Sequence, residues 1–413
     1  MIAAPAFSSI TRRQWHALFA AQSGYMLDAT DVLLYVFALN TLRAEFGLSN
    51  AQAGLVSSIT LITSAAGGVL FGILSDRVGR ARTLVYTILL YSFASAGTAL
   101  SSSLGGLLFW RALIGLGLGG EWSAGALLVA ETWPAEHRAK ATGFMQSGWA
   151  LGYILAAGVT AFVLPRFGWR VLFLTGLAPA ALALAIRRNV PETEIWKAGK
   201  AARSTAKFSD IFRGQLARRT IMATSLSTAV LFAYWGLFTW LPGFLSAPTS
   251  AGGAGLSIVR TSGWIIPMQI GAFFGYVTFG LIADRFGRRP AFLIYMLTAA
   301  ALVPVYGWVP HLGGRAAETA LLVLGPLIGF FGSGYFGLFG AMLAEIYPTS
   351  VRGTGHGFTF NVARGLSAMA PFAVGFLADR HGVGAALALN SGFFLIAAAL
   401  IFTLPETRRA NLE

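Results

Sequence analysis

No cysteine occurs among the 413 residues, so neither a disulfide framework nor thiol chemistry is available, and the redox compartment is left open. Histidine is scarce: five, scattered along the chain, provide no cluster with metal-ligand spacing. A P-loop is missing, and so is a nucleophile elbow such as Gly-x-Ser-x-Gly in a strand context. No enzyme chemistry, metal or cofactor is therefore expected. The strongest shortage is of charge. Only 11% of the residues are Asp, Glu, Lys or Arg, against about 25% in soluble domains, and this excludes a disordered chain or a small secreted scaffold.

What fills the chain instead is apolar. Hydrophobic residues make up 56%, and 50 glycines come on top of them, a combination that favours membrane helices whose backbones approach closely. Six long apolar runs lie between about 16 and 187 and six more between about 220 and 404. Since about 20 apolar residues cross the hydrocarbon, twelve spans account for nearly everything, and no soluble domain fits beside them. The N-terminal stretch through Arg12 and Arg13 lacks a signal-peptide cleavage site, and the first run is long enough to stay as a span.

An even number of spans puts both termini on one side. Of the 30 Lys and Arg, 22 fall in the loops on that side and 6 on the other, while Arg111 and Arg364 lie inside apolar runs. The positive-inside rule makes the termini cytoplasmic, in an inner (cell) membrane. The net charge of +14 is explained by this topology, and no nucleic-acid partner is expected; such a partner needs a clustered basic face. The long polar segment around residues 189–218 carries Lys197, Lys200, Arg203, Lys207 and Arg213 and reads as a basic cytoplasmic linker lying against lipid. It divides the chain into halves at 1–188 and 219–413.

The halves repeat each other. Asp76-Arg77-Val78-Gly79-Arg80 recurs 208 positions later as Asp284-Arg285-Phe286-Gly287-Arg288, and Glu131-x-x-Pro134-x-x-x-Arg138 recurs 214 positions later as Glu345-x-x-Pro348-x-x-x-Arg352. Two motifs repeated in order at nearly one offset mark an internal duplication, the common plan of transporters with a substrate site between the repeats. Glycines permit tight turns after spans two and eight. The charged residues of the four motifs would latch helices together on one side and release them when the halves rock. They also set topology.

These motifs resemble the major facilitator superfamily over essentially the whole chain: the paired Gly-x-x-x-Asp-Arg-x-Gly-Arg loops are its signature, and Arg111-Ala-Leu-Ile-Gly115-Leu-Gly117 looks like its second motif. Gly119-Gly120-Glu121-Trp122, Glu131-Thr-Trp-Pro134, Gly143-Phe-Met-Gln146-Ser-Gly148 and the run from Arg352 through His356 and Asn361 to Arg364 are similar to proton-coupled metabolite symporters, most nearly the sialate and monocarboxylate group. The resemblance implies an all-α membrane protein of twelve transmembrane helices in two pseudo-symmetric six-helix bundles, a monomer working by alternating access.

Charges at bilayer depth cost at least ~2.5–3.5 kcal/mol each and default to function. Five qualify: Asp28, Asp31, Arg111, Glu121 and Arg364. Counting ~1.5 Å per residue from the loop motifs puts Glu121 and Arg364 near midplane, with Gln146 and Asn361 slightly shallower. Asp28 and Asp31, three apart, share a helix face, and two carboxylates there resist joint ionisation, which suits a proton carrier. Relatives implied by the resemblance use a span-one acid with the span-four Arg, so Arg111 would pair with one Asp and release it on protonation. Otherwise the pair is static. Arg364 offers a planar fork for a carboxylate, with Asn361 beside it; alternatively it pairs permanently with Glu121 or an Asp. Three roles stay open to Glu121: counter-charge, second proton site, or partner of substrate hydroxyls. Its repeat-equivalent is Tyr335, and Tyr234 and Trp235 in span seven are candidates for an apolar pocket wall. Trp240 reads as a belt residue and His356 as a gate or cap.

With no ATP motif, flux must follow a gradient or be coupled to an ion. The expectation is proton-coupled import of a small organic anion: a monocarboxylate, a sialate or an aromatic acid. The competing readings are a symporter or exporter of neutral sugars or cationic solutes, in which the acids bind substrate and Arg364 is structural, and a non-transporting solute receptor.

Overall fold

A serine or threonine precedes each of four long apolar helices and stops the chain from starting earlier. Thr11 and Ser49 form reciprocal capping boxes with Gln14 and Gln52, and Ser103 and Ser257 accept from the backbone of Gly106 and Arg260. The structure, a computed structural model, describes residues 10–133, 135–181, 208–348 and 351–406. The expected linker therefore lies largely outside the described residues, as do both termini.

Twelve passes emerge among the described residues. In the first half they are α1 (Arg12–Phe46), α2 (Asn50–Val78), α3 (Arg80–Thr98) and α4 (Leu104–Thr132), followed by Ala135–Leu174, which Gly168 (φ 77°, ψ 175°) breaks into α5 (135–167) and α6 (169–181). The second half has α7 (Gly214–Ser246), α8 (Ile258–Phe286), α9 (Arg288–Trp308), α10 (Gly314–Ser333 continuing as Phe336–Glu345), α11 (Arg352–Ser367 continuing as Met369–His381) and α12 (Val383–Leu387 continuing as Leu389–Leu400). Eight stretches among the described residues are long and apolar enough to cross a membrane on length and composition alone, and one of them, Lys140–Ala181, contains the Gly168 break and so makes two passes. α7 begins inside the stretch expected as linker.

The duplication is visible in the backbone. α2 and α8 each span 29 residues and each ends at a glycine in the left-handed region, Gly79 (φ 113°, ψ 160°) and Gly287 (φ 104°, ψ 155°). Only glycine takes that conformation without strain, so the chain reverses directly into α3 and α9.

Close helix contact replaces the hydrophobic drive that lipid cannot supply. α2 and α4 touch through backbone: a Cβ on Gly67 would lie 2.1 Å from the Leu116 carbonyl, and one on Gly119 would lie 1.8 Å from that of Ser64. The exterior is apolar, with Phe93, Leu281 and Val323 pointing outward, while Asp28, Arg111, Glu121 and Arg364 are interior. This reverses the soluble pattern. The halves meet along α2–α11 and α5–α8. Tyr153 of α5 also donates to the Phe238 carbonyl of α7 at 2.7 Å.

Candidate substrate and coupling site

The charged residues at bilayer depth converge from both halves. Asp28 on α1 and Glu121 on α4 are fully buried, and none of their carboxylate oxygens has a hydrogen-bond partner among the described residues. Arg364 on α11 is 5% exposed, its guanidinium 5.0 Å above the Phe360 ring. Asp28 lies in electrostatic reach of both Arg364 and Glu121, and Tyr25 is in reach of Arg364, Asp28 and Glu121. The absence of a side chain at Gly24 makes the grouping possible: a Cβ there would sit 2.7 Å from Glu121 Oε1.

Aromatic rings wall this charged centre. Tyr25 packs on Trp149 of α5 at 5.3 Å, and Trp149 meets Trp235 of α7 edge-on at 5.6 Å, across the two halves. Tyr234 adjoins Trp235 (5.4 Å), stacks on Phe238 (4.7 Å) and meets Phe336 of α10 edge-on (5.2 Å). Tyr276 of α8 packs with Ala150 of α5 at the seam. Tyr234 and Trp235, the expected wall candidates, thus sit in an aromatic cluster that joins the two halves. Tyr25, Trp149, Tyr276 and Phe336 were missed. Trp149 directly follows the quoted Gly143–Gly148 motif, a signal within reach; with 13% aromatics, nothing in sequence singles out the other three.

Other candidates find different neighbours. Asp31, although three residues from Asp28, turns into the first half: Ser95 of α3 donates to Oδ1 at 3.1 Å, and a Cβ on Gly176 would lie 2.6 Å from that oxygen. Arg111 stays in electrostatic reach of Asp31 but makes its hydrogen bonds elsewhere. Arg111 Nε donates to Thr60 Oγ1 and Nη2 to the Val32 carbonyl, both at 3.3 Å, with the guanidinium 4.9 Å above Tyr35. It therefore ties α1, α2 and α4 together. Asn361 donates to its own helix at the Gly357 carbonyl (2.9 Å), and its Oδ1 packs 2.4 Å from where a Cβ on Gly68 of α2 would lie. That contact is inter-half packing. Tyr335 is buried in the second half against Phe292 and Phe336, at the break in α10. Gln146 lies half-buried on α5, one turn before Trp149.

At the loop end, the two repeated motifs of the second half are joined: Arg288 Nη2 lies 3.4 Å from Glu345 Oε1, with both side chains largely buried. Glu406 completes the corner by accepting from the backbone N–H groups of Arg288 (2.9 Å) and Arg289 (3.0 Å), a carboxylate on the start of α9. Arg77 and Arg285 are exposed. The side chains of Asp76, Arg80, Glu131, Arg138, Asp284 and Arg352 lie outside those described. His356 stacks on Phe360 at 6.4 Å, near the same end of α11.

Two six-helix halves around a buried charged centre, with repeated charged loops at one end, are the architecture of a secondary transporter and not of an enzyme. The chain belongs to the Major Facilitator Superfamily, whose family model matches residues 23–267 and 250–413. It is 36% identical over 409 residues to a Haemophilus influenzae protein named as a metabolite transport protein, covering 97% of this chain and 98% of the relative. A Cupriavidus pinatubonensis protein named as a 4-methylmuconolactone transporter is 34% identical over 410 residues, covering 97% and 92%. Among solved structures, the D-xylose-proton symporter shares the fold with a TM-score of 0.78 at 21% identity, covering 95% of this chain and 98% of that one.

Proposed function

We propose that this transporter imports a small organic anion together with a proton, by alternating access, across the inner membrane with its Lys- and Arg-rich loops in the cytoplasm. The observation that carries the reading is the buried Asp28 carboxylate, without a hydrogen-bond donor yet in electrostatic reach of Arg364 from the opposite half. In the empty carrier Asp28 balances the guanidinium. When substrate arrives, its carboxylate takes Arg364 and Asp28 takes a proton. The site carries the same net charge before and after, so the halves can close over either state without burying an uncompensated ion. Proton and substrate then leave together on the other side.

The aromatic walls narrow the substrate class. Rings from Tyr25, Trp149, Tyr234 and Trp235 meeting at tilted and right-angle orientations favour a flat unsaturated body beside the carboxylate. An aromatic or unsaturated ring acid therefore suits the site better than a sugar acid. The relative named for 4-methylmuconolactone, an unsaturated lactone acid, supports this.

The test is uptake into proteoliposomes under an inward proton gradient, with benzoate, nicotinate, lactate, sialate, a hexose and a quaternary amine offered in turn. Uphill uptake of a ring acid that collapses with a protonophore is the expected result. Movement of only the hexose or the amine would refute it and make the acidic cluster the binding site.

A further inference from the structure

The pattern Gly-x-x-x-Asp-Arg-x-Gly that ends α2 and α8 occurs a third time, at the opposite end of the molecule. Gly375-Phe-Leu-Ala-Asp379-Arg380-His-Gly382 closes α11, and Gly382 (φ 82°, ψ 157°) has nearly the conformation of Gly79 and Gly287. The α5–α6 turn has the same shape, at Gly168 within Pro165-Arg-Phe-Gly168-Trp-Arg, but proline replaces the acid. The turns α2–α3, α5–α6, α8–α9 and α11–α12 are thus four versions of one device. Two lie at each end, and three of the four keep the aspartate.

What the third aspartate does is visible in its contacts. Asp379 Oδ1 accepts from the Asn50 backbone N–H (2.9 Å) and from Asn50 Nδ2 (2.8 Å), and Oδ2 accepts from the Ala51 N–H (3.0 Å). A carboxylate of the second half therefore caps the first turn of α2 in the first half, where backbone donors have no helical partner and the helix dipole favours negative charge. Arg43, at the end of α1, is in electrostatic reach of the same carboxylate. Beside it the seam is drawn tight. A Cβ on Gly54 would lie 2.4 Å from the Pro371 carbonyl, one on Gly375 2.4 Å from that of Asn50, and Asn40 of α1 donates to Gly243 O (3.1 Å) and Ser246 Oγ (2.8 Å) of α7.

We propose that Asp379 is the lock of this end of the transporter, the counterpart of the paired loops at the other end, and that its release from the start of α2 is a required step in opening the carrier on this side. Only the α2–α11 seam carries such an acid, since Pro165 stands in its place at α5–α8. Opening on this side is therefore gated along one seam.

The absence of native cysteine allows a direct test. Ala44→Cys on α1 and Ser250→Cys after α7 both line the crevice that Asp379 also lines. Spin labels there, in the full chain in proteoliposomes without substrate, report the separation by double electron–electron resonance. Asp379→Ala should raise the ratio of long to short distances about tenfold, the scale of one lost helix cap. Asn50→Ala removes one of the three bonds from the other side and should shift it in the same direction by less. An unchanged distribution in both variants, or a shift toward closure, overturns the lock. Because no substrate is present, the outcome is independent of what the carrier moves.

Discussion

Replacing Arg364 with lysine keeps a positive charge at the centre of the molecule and removes only the fork. The guanidinium is 5% exposed and held above Phe360, so its geometry is set before any ligand arrives and little ordering cost offsets its bonds. A carboxylate engaged by the fork makes two charge-assisted hydrogen bonds, each ~1.5–3 kcal/mol. Lysine retains one. Affinity for a ring acid such as benzoate should fall by roughly 10- to 150-fold. Alanine removes both bonds and also strips Asp28 of its counter-charge. A buried carboxylate left without opposite charge nearby is costly, so this variant should also melt at a lower temperature. Calorimetric titration of the purified proteins, with thermal melting run in parallel, separates the two effects. Binding by Arg364→Lys and Arg364→Ala within threefold of the parent protein would refute the assignment of the substrate carboxylate to Arg364.

Two further outcomes follow from the same geometry. Asp28→Asn should abolish proton-driven accumulation while leaving substrate exchange, whereas Asp31→Asn, altering a group bonded to Ser95 inside one half, should leave accumulation intact; parallel uptake with and without a protonophore checks both, and equal behaviour of the two variants would count against Asp28 as the proton site. Gly67→Ala sets a Cβ 2.1 Å from the Leu116 backbone and should sharply lower the yield of folded protein by forcing α2 from α4, while Gly158→Ala, with nothing within 4 Å, should be neutral; thermal melting after solubilisation compares them.

The fold was largely legible because its determinants are one-dimensional. Apolar run length marks a span, and motifs repeated in order at nearly one offset mark a duplication. The 208-residue offset of the Asp-Arg-x-Gly-Arg loops reappears as two helices of equal length ending at glycines of matching dihedral angles. A third copy of the same pattern escaped attention because it sits at the other end, where its orientation is inverted and no second copy of its aspartate exists to pair with it. The α5–α6 break falls at Pro165-Arg166-Phe167-Gly168, between the fifth and sixth apolar runs, where Gly168 leaves helical geometry.

The candidate site divides along a sharper line. A residue in a spanning helix has a depth, an azimuth and a set of neighbours, and only the first comes from counting. Depth put Glu121 and Arg364 at one level, and the fold brings Asp28 into electrostatic reach of both. Azimuth is not read from counting: three residues of helix stop roughly 60° short of a full turn, and Asp31 bonds to Ser95 while Asn361 packs against Gly68. For Arg111 the missing knowledge was of neighbours. Its sequence gives no sign that Thr60 and the Val32 carbonyl lie closer than either aspartate. A buried guanidinium bonded to a hydroxyl and a carbonyl and stacked on an aromatic ring of its own half binds that half together, whereas one set opposite a carboxylate from the other half is sensitive to how the halves move. Arg111 and Arg364 are the same side chain at similar burial, and what separates scaffold from candidate site is that Arg364's electrostatic partners lie across the seam.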